Sequence, residues 1–257
     1  MPTSNYDLAT PAGTCKTQLF TPEGSGPWPA VIFCHDGGGP REAMAQLAGR
    51  IAARGYLVAM PDFYHRIGVI GDILPKGMST MEGMRAIIAD AELRAKFLST
   101  FYAAATNEDN LRADVGPLLD ALSARPDVRG GVGTTGYCMG GNISFRLATL
   151  FGDRIAASAS FHGGGLATAA PTSPHLRAAN IKARIYVAGA IEDPSFTDEM
   201  KRELMRALLA AQVDATVETY PARHGFVVED SPSFDAAAAE RHDAALESLF
   251  AATLRRS

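Results

Sequence analysis

The side chains best suited to chemistry in this sequence are Cys138, Asp193 and His224, each of which lies just after a short apolar run. A cysteine thiolate is a strong nucleophile, an imidazole can exchange a proton with it, and a carboxylate can orient the imidazole. Glu192, which directly precedes Asp193, is the alternative acid. These residue types in this order predict nucleophilic catalysis of an acyl transfer.

The strongest local signal is the segment GYCMGG, from Gly136 to Gly141, which follows a predicted strand and opens a predicted helix. This pattern is a nucleophile elbow with cysteine at the nucleophile position. Gly136 and Gly140 supply the small residues that the close approach of strand and helix requires. The helix N-terminus favours the thiolate form of Cys138, and the Met139 N–H is a candidate oxyanion donor. A buried structural cysteine is the alternative interpretation.

A second glycine-rich loop, His35 to Gly39, follows the first predicted core strand. Beside a nucleophile elbow, the second oxyanion donor is a backbone N–H of this loop, which makes Asp36 and Gly37 its candidate sources. A phosphate cradle is the weaker alternative, because the loop matches neither GxGxxG nor a loop that ends in Lys-Ser/Thr.

The remaining histidines are weaker candidates for a role in the site. His162 follows a later predicted strand, where it either lines the floor of a pocket or is a satisfied core residue. His175 and His242 are predicted to lie on the surface. Because no set of side chains has metal-ligand spacing such as HExxH or paired CxxC, we expect no metal and no other cofactor.

Short apolar runs alternate with amphipathic stretches, which predicts βαβ units and a mostly parallel sheet with helices on both faces. The predicted strands are Ala30–Cys34, Leu57–Met60, Val132–Tyr137, Ile155–Phe161, Ile185–Ala188 and Ala215–Tyr220, with Lys16–Phe20 as an edge strand. The predicted helices are 41–54, 110–124, 139–150, 197–212 and 235–255. Ligands of such sheets bind outside the carboxyl ends of the strands, where Cys138, Asp193 and His224 all fall.

The stretch 65–109 departs from this rhythm and is long for a connection between a strand and a helix. It contains Met78, Met81 and Met84, followed by a helix-like pattern over 86–102. We expect an excursion over the strand ends that forms part of a substrate pocket. The alternative is a helix packed on the sheet with methionine as gap filler.

Composition limits the class of protein further. The 257 residues are 47% hydrophobic and 20% charged, which fits one globular domain over 1–257. The net charge of -4 argues against nucleic-acid binding, and no apolar run is long enough to span a membrane. The N-terminus has no signal-peptide pattern, and three cysteines argue against a disulfide framework. These features predict a cytoplasmic protein. Because the sequence shows no exposed heptad pattern and no long edge strand, we expect a monomer.

Taken together, these motifs resemble the dienelactone hydrolase family of α/β-hydrolases. The resemblance rests on the GYCMGG segment, on the placement of Asp193 and His224, and on Pro61 to Tyr64 after the second core strand. It implies an α/β-hydrolase fold, a Cys-His-Asp triad, and hydrolysis of a small-molecule enol lactone or related ester without a metal. Dienelactones from the breakdown of chloroaromatic compounds are the family's best known substrates.

The sequence departs from the family pattern at two positions. Asp36 stands where family members commonly carry a glutamate that contacts the resting cysteine. Val228 stands where family members that act on carboxylated lactones carry an arginine. Arg85 and Arg94 in the excursion, and Arg223 beside the triad, are the alternative partners of a substrate carboxylate. With His162 and Tyr137, Arg85 and Arg94 complete the predicted substrate-binding residues.

Other functions are compatible with the same residues. A general carboxylesterase or a thioesterase would use the same triad. A redox-sensing or ligand-binding protein on a hydrolase scaffold would need an oxidisable Cys138, but it would not need Asp193 and His224 to be positioned beside this cysteine.

Overall fold

An eight-stranded, mostly parallel sheet organises the chain in a computed structural model that describes residues 2–255. The strand order is β1-β2-β4-β3-β5-β6-β7-β8, and β3 to β8 are parallel to one another. The strands are β1 Thr3–Thr10, β2 Gly13–Phe20, β3 Trp28–Cys34, β4 Leu57–Pro61, β5 Val128–Tyr137, β6 Ile155–Phe161, β7 Arg184–Gly189 and β8 Ala215–Thr219. The predicted fold class is confirmed.

Helices cover both faces of this sheet. They are α1 Glu42–Ala52, α2 Thr80–Ala89, α3 Ala91–Phe97, α4 Ala103–Thr106, α5 Glu108–Ser123, α6 Met139–Phe151, α7 Asp198–Ala210 and α8 Ala236–Thr253. Side chains of α1 and α8 pack on one face, and those of α5, α6 and α7 pack on the other. Since alternate residues of a strand point to opposite faces, Val31 and Ile32 enter different clusters. Within residues 2–255, no helix is long and apolar enough to cross a bilayer.

The predicted edge strand, Lys16–Phe20, lies inside the sheet. β1 pairs antiparallel with β2 along its full length, and β2 pairs antiparallel with β4, so β1 forms the edge instead. Leu8 is the one residue of β1 that is buried. An edge strand exposed on both faces shows no hydrophobic alternation, which explains why the sequence pattern missed it.

The excursion after β4 is a series of short helices rather than one continuous helix over 86–102. A 3₁₀ turn over Ile70–Ile73 precedes α2 and α3, and a π-helical turn, Leu98–Tyr102, leads into α4. Asp90 separates α2 from α3, and its carboxylate caps α3 by accepting the Leu93 N–H at 2.9 Å. Short polar residues favour such caps over helix interiors, and this one interrupts the predicted helix.

The start of the excursion is anchored to α5. Arg66 Nε donates to Asp114 Oδ2 at 2.8 Å, and His65 Nε2 lies 3.5 Å from Asp114 Oδ1. The hydrogen bond with Asp114, helped by Cys15, outweighs burial and raises the pKa of His65 to about 10. A protonated His65 and Arg66 therefore hold the excursion against the helical layer beneath it.

Candidate active site

Cys138 lies at the tight turn between β5 and α6. Its φ of 55° and ψ of −117° fall in a region that side chains rarely occupy. A Cβ on Gly136 would lie 1.9 Å from the Gly140 carbonyl oxygen, and a Cβ on Gly140 would lie 2.0 Å from the Cys34 carbonyl oxygen. Both positions therefore exclude any side chain. The strained turn leaves Cys138 partly exposed at the start of α6.

Asp193 and His224 lie beyond the carboxyl ends of β7 and β8, on the same edge of the sheet as Cys138. His224 Nδ1 lies 2.8 Å from Asp193 Oδ2. The ionised carboxylate is an acceptor, so Nδ1 carries the proton in this contact and Nε2 is left for the cysteine. Ser195 holds the other carboxylate oxygen through its N–H at 2.9 Å and its hydroxyl at 2.6 Å.

The alternative acid does not reach the imidazole. Glu192 is mostly exposed and receives a hydrogen bond from Arg223 at 3.1 Å. Arg223 is likewise turned to solvent, with 74% of its side chain accessible. The structure thus brings together the three residues that the sequence predicts and leaves Glu192 and Arg223 outside.

The electrostatics of this group favour a charged histidine. Burial lowers the pKa of His224, but the charge of Cys138 and the hydrogen bonds with Asp193 and Cys138 outweigh it and hold the pKa well above its usual range. Burial raises the pKa of Asp193, but its bonds from His224 and Ser195 lower it to about 2. A charged imidazole donates from both ring nitrogens, so His224 can keep its bond with Asp193 and offer a second proton at Nε2.

His162 is fully buried and lies directly beneath the nucleophile. Its Nδ1 accepts the backbone N–H of Cys138 at 3.1 Å, and its ring lies 5.0 Å from that of His224. Burial, together with the charge of His224, keeps the pKa of His162 well below its usual range. A neutral His162 thus contacts the backbone of Cys138 and the ring of His224. Its position after a predicted strand did not by itself reveal these two contacts.

The loop after β3 is fixed by an ion-pair network. Arg41 donates to Asp36 Oδ1 at 2.6 Å and Oδ2 at 3.0 Å, and also to Asp230 at 2.7 Å. The Gly38 N–H donates to Asp36 Oδ1 at 2.8 Å. With both oxygens engaged, Asp36 makes no hydrogen bond to Cys138 among the described residues. Arg41, which organises this loop, is a residue that sequence reasoning missed.

The same loop is held rigidly beside the elbow. The Tyr64 hydroxyl donates to the Gly37 carbonyl at 2.9 Å and lies 3.4 Å from Met139 Sδ. In the part of the chain that the structure describes, the N–H groups of Gly37 and Met139 have no protein partner. Fixed donors without a partner are suited to an oxyanion.

A cavity of about 1310 Å³ opens above Cys138, beneath the helices of the excursion. Asp193, His224, His162 and Arg85 all line it. Its apolar wall is formed mainly by the side chains of Met81, Met84, Ile88, Phe97, Leu98 and Val228. The excursion therefore forms part of the pocket, as one of the two interpretations of 65–109 expected, and the exposed Met78 does not contribute.

Two predicted substrate-binding residues lie away from the cavity lining. Tyr137 is fully buried on the opposite face of the sheet, where its hydroxyl lies 2.9 Å from His242 Nε2. Arg94 is on the outer side of α3 and donates to the Ile88 carbonyl at 2.8 Å. Their positions do not support the prediction that they contact substrate. Tyr137 points away from the cavity because adjacent strand residues point to opposite faces, and the side chain of Arg94 is exposed on its helix.

The surface placement of two histidines was also wrong. His242 is fully buried, because α8 turns this residue onto the sheet, where its ring packs edge-on at 4.2 Å from Phe161. His175 is buried as well, with Nδ1 2.8 Å from the Ser173 hydroxyl. Both are satisfied structural histidines.

The sheet order, the elbow after β5, and an acid and a histidine after later strands define an α/β-hydrolase. A solved structure titled "Putative Dienelactone Hydrolase" from Klebsiella pneumoniae superposes with a TM-score of 0.82 at 20% identity, covering 97% of this chain and 98% of that chain. A dienelactone hydrolase from Anabaena variabilis gives a TM-score of 0.63 at 17% identity, covering 99% and 100%. At these identities the likeness is one of fold.

The chain belongs to the dienelactone hydrolase family, whose model matches residues 15–254. An Escherichia coli K12 protein named "Putative carboxymethylenebutenolidase" is 27% identical over 224 residues, which cover 85% of this chain and 74% of the relative. The protein is accordingly a hydrolase of this family, and a small-molecule ester fits as its substrate.

Proposed function

We propose that this protein opens an enol lactone or a related carboxylic ester through Cys138, His224 and Asp193, with an acyl-cysteine intermediate. The observation that supports this most strongly is the 2.8 Å contact between His224 and Asp193 beside a cysteine at a strained elbow. The family supplies the reaction class, and these side chains supply a nucleophile, a proton carrier and an orienting carboxylate.

Acylation begins with attack of the Cys138 thiolate on the ester carbonyl carbon. A C–S bond forms, and the carbonyl electron pair moves to oxygen to give a tetrahedral oxyanion. The N–H groups of Met139 and of the Asp36–Gly37 loop donate to that oxygen, each worth about 3 kcal/mol. Collapse then breaks the C–O bond, and the His224 imidazolium gives its proton to the departing oxygen. In an enol lactone, this oxygen leaves as an enol that remains part of the acyl group.

Deacylation returns the enzyme to its resting state. The neutral His224 Nε2 removes a proton from a water molecule, which attacks the thioester carbonyl. The second tetrahedral intermediate collapses with cleavage of the C–S bond, so the product leaves as a carboxylic acid and Cys138 is again a thiolate beside an imidazolium. Asp193 stabilises the charged imidazole throughout.

The alternatives differ in how much of the site they use. A carboxylesterase or a thioesterase would follow the same steps on a different acyl compound. A redox sensor or a ligand-binding protein has no use for an acid held 2.8 Å from the histidine, so the geometry favours hydrolysis over these roles.

Turnover of three probes tests the proposal. Initial rates are measured with a dienelactone, p-nitrophenyl acetate and an acyl thioester, using wild type, Cys138→Ala and Cys138→Ser. We expect hydrolysis that is lost in both variants, with the lactone preferred. Cys15→Ala is the matched control, because Cys15 is buried and lies outside the cavity lining. Equal turnover by wild type and Cys138→Ala would remove Cys138 as the nucleophile. Turnover of the thioester or the simple ester alone would transfer the proposal to those substrates.

A further inference from the structure

A buried arginine faces the same cavity from the helix that carries the nucleophile. Arg146 lies eight residues after Cys138, about 12 Å along the axis of α6. Its Nε donates to Asn142 Oδ1 at 2.8 Å, so the side chain runs back toward the elbow. Asn142 is itself fixed, since its Nδ2 donates to the Gly164 carbonyl at 2.9 Å. The Arg146 guanidinium is thereby held in one orientation on the cavity wall.

Two arginines share one carboxylate at this point. Arg146 Nη1 lies 3.1 Å from Glu108 Oε1, and Arg177 Nη2 lies 2.9 Å from Glu108 Oε2. All three side chains line the cavity, and together they carry one net positive charge. Arg146 Nη2 and Arg177 Nε have no hydrogen-bond partner within residues 2–255. Asp109, the next acid along the chain, also lines the cavity, but its side chain is exposed to solvent and is not paired with either arginine.

Tyr102 lines the same cavity as these arginines and Cys138. In the range 2–255, the Tyr102 hydroxyl has no hydrogen-bond partner, although the residue lines the cavity. A methyl group on Gly165 would lie 3.3 Å from this hydroxyl and 3.5 Å from Asn142 Nδ2, which places Tyr102 beside the helix turn that orients Arg146. Burial and the charge of Cys138 raise the pKa of Tyr102 to about 12, so it is a neutral donor.

The cavity is large, and most of its surface is apolar. Met84, Phe97 and Leu98 are among the side chains that the excursion contributes to its wall. A volume of about 1310 Å³ exceeds the range of roughly 300–1,000 Å³ that is usual for small-ligand pockets. A small lactone would leave most of this apolar surface uncovered.

We propose that the cavity binds an ester or lactone with an extended apolar body and a carboxylate, and that Arg146, Arg177 and Tyr102 hold this carboxylate. This inference rests on the proposed hydrolase function and specifies its substrate class. Charge-assisted hydrogen bonds to a carboxylate are among the strongest that a site can offer. The apolar wall would cover the chain between the carboxylate and the scissile carbonyl.

Two esters of equal chain length provide the probes. p-Nitrophenyl hexanoate is neutral, and the mono-p-nitrophenyl ester of adipic acid places a carboxylate at the far end of the same chain. The measured quantity is the ratio of kcat/KM for the adipate ester to that for the hexanoate ester. We expect a ratio well above one for wild type, which falls as salt screens the arginines.

Substitutions separate recognition from structural support. Arg177→Gln and Arg146→Gln are each expected to lower the ratio about tenfold, the cost of losing a hydrogen bond to a charged group. Glu108→Gln is expected to raise it, because the carboxylate that competes for both guanidinium groups is removed. Arg154→Gln is the matched control, since Arg154 pairs with Asp120 at 2.7 Å on the surface, away from the cavity.

Each outcome decides the inference. Should Arg146→Gln fail to fold, the partly exposed Arg177 and the Glu108 variant carry the test. The inference is overturned if the kcat/KM ratio is unchanged in Arg177→Gln. It is also overturned if the ratio falls in Glu108→Gln as it does in the arginine variants, because the three side chains would then form a structural ion pair. If hexanoate is hydrolysed without any preference for adipate, the proposed function stands and the inference fails.

If the wild-type protein hydrolyses neither ester, the proposed function is contradicted. Calorimetry then tests the carboxylate site alone. The probes are monomethyl adipate and methyl hexanoate. Binding of the adipate ester to wild type that weakens in Arg177→Gln supports the site, and absence of binding overturns it.

Discussion

Adding one methyl group at Gly140 probes the packing on which the elbow depends. The new Cβ would lie 2.0 Å from the Cys34 carbonyl oxygen and 2.5 Å from that of His35, whereas ordinary contact begins at 3.4 Å. Both obstacles are backbone, so α6 must retreat from β3 by more than 1 Å. We expect Gly140→Ala to lower the free energy of unfolding by about 3 kcal/mol, the upper end of the usual cost of overpacking. A displacement of that size also reduces kcat/KM by about two orders of magnitude.

Urea unfolding followed by circular dichroism measures the first effect, and initial ester-hydrolysis rates measure the second. Gly71→Ala is the matched control, because its Cβ would meet one atom, Val69 Cγ1, at an ordinary 3.7 Å. The control should unfold within about 0.5 kcal/mol of wild type. If Gly140→Ala were as stable and as active as Gly71→Ala, the steric account of the elbow would be refuted.

Three further substitutions test the surrounding groups. Asp193→Asn removes the acceptor of the His224 proton and should lower kcat by about three orders of magnitude; a loss below tenfold in stopped-flow rates would show that the carboxylate is dispensable. His162→Phe keeps a ring in place but removes one of the two acceptors of the Cys138 N–H and leaves the Phe161 carbonyl at 3.1 Å, so kcat should fall about tenfold while stability changes by less than about 1 kcal/mol; an unchanged kcat would exclude this role. His65→Gln removes a histidine whose pKa is raised to about 10 by Asp114. Because the folded state raises the pKa of His65, the stabilisation from its charged form is fully present below about pH 6.5 and is lost as the pH rises through 10. The stability difference from wild type should therefore be about 2–4 kcal/mol at pH 6 and shrink toward pH 10; a difference that does not vary with pH contradicts the assignment.

The candidate catalytic residues could be predicted from the sequence, because the constraints on their positions are local. Gly136 and Gly140 are required by backbone contacts within one strand–turn–helix unit, so they appear at fixed spacing around Cys138. Asp193 and His224 follow later strands, and a parallel sheet brings all carboxyl ends of its strands to one edge. Neither argument needs the conformation of a long loop.

The pocket was harder to predict from the sequence, because its lining depends on how the excursion over 65–109 folds. Tyr102 and Arg146 line one cavity only because the chain places a π-helical turn near α6, an arrangement across more than forty positions that periodicity does not encode. The pairing of Arg41 with Asp36 has a similar origin, since it depends on how the loop after β3 turns. The direction of the Tyr137 side chain, away from the cavity, could have been predicted, because Gly136 faces α6 and adjacent strand residues point to opposite faces of the sheet.

The central claim is that the acyl group is transferred to Cys138. The most direct test is rapid acid quench of wild type mixed with p-nitrophenyl acetate, followed by peptide mass spectrometry. The account predicts one acetyl group, on the peptide that contains Cys138, which forms with the burst of p-nitrophenol and disappears on hydrolysis. Release of p-nitrophenol with the acetyl group on another residue, or an identical burst from Cys138→Ala, would contradict it.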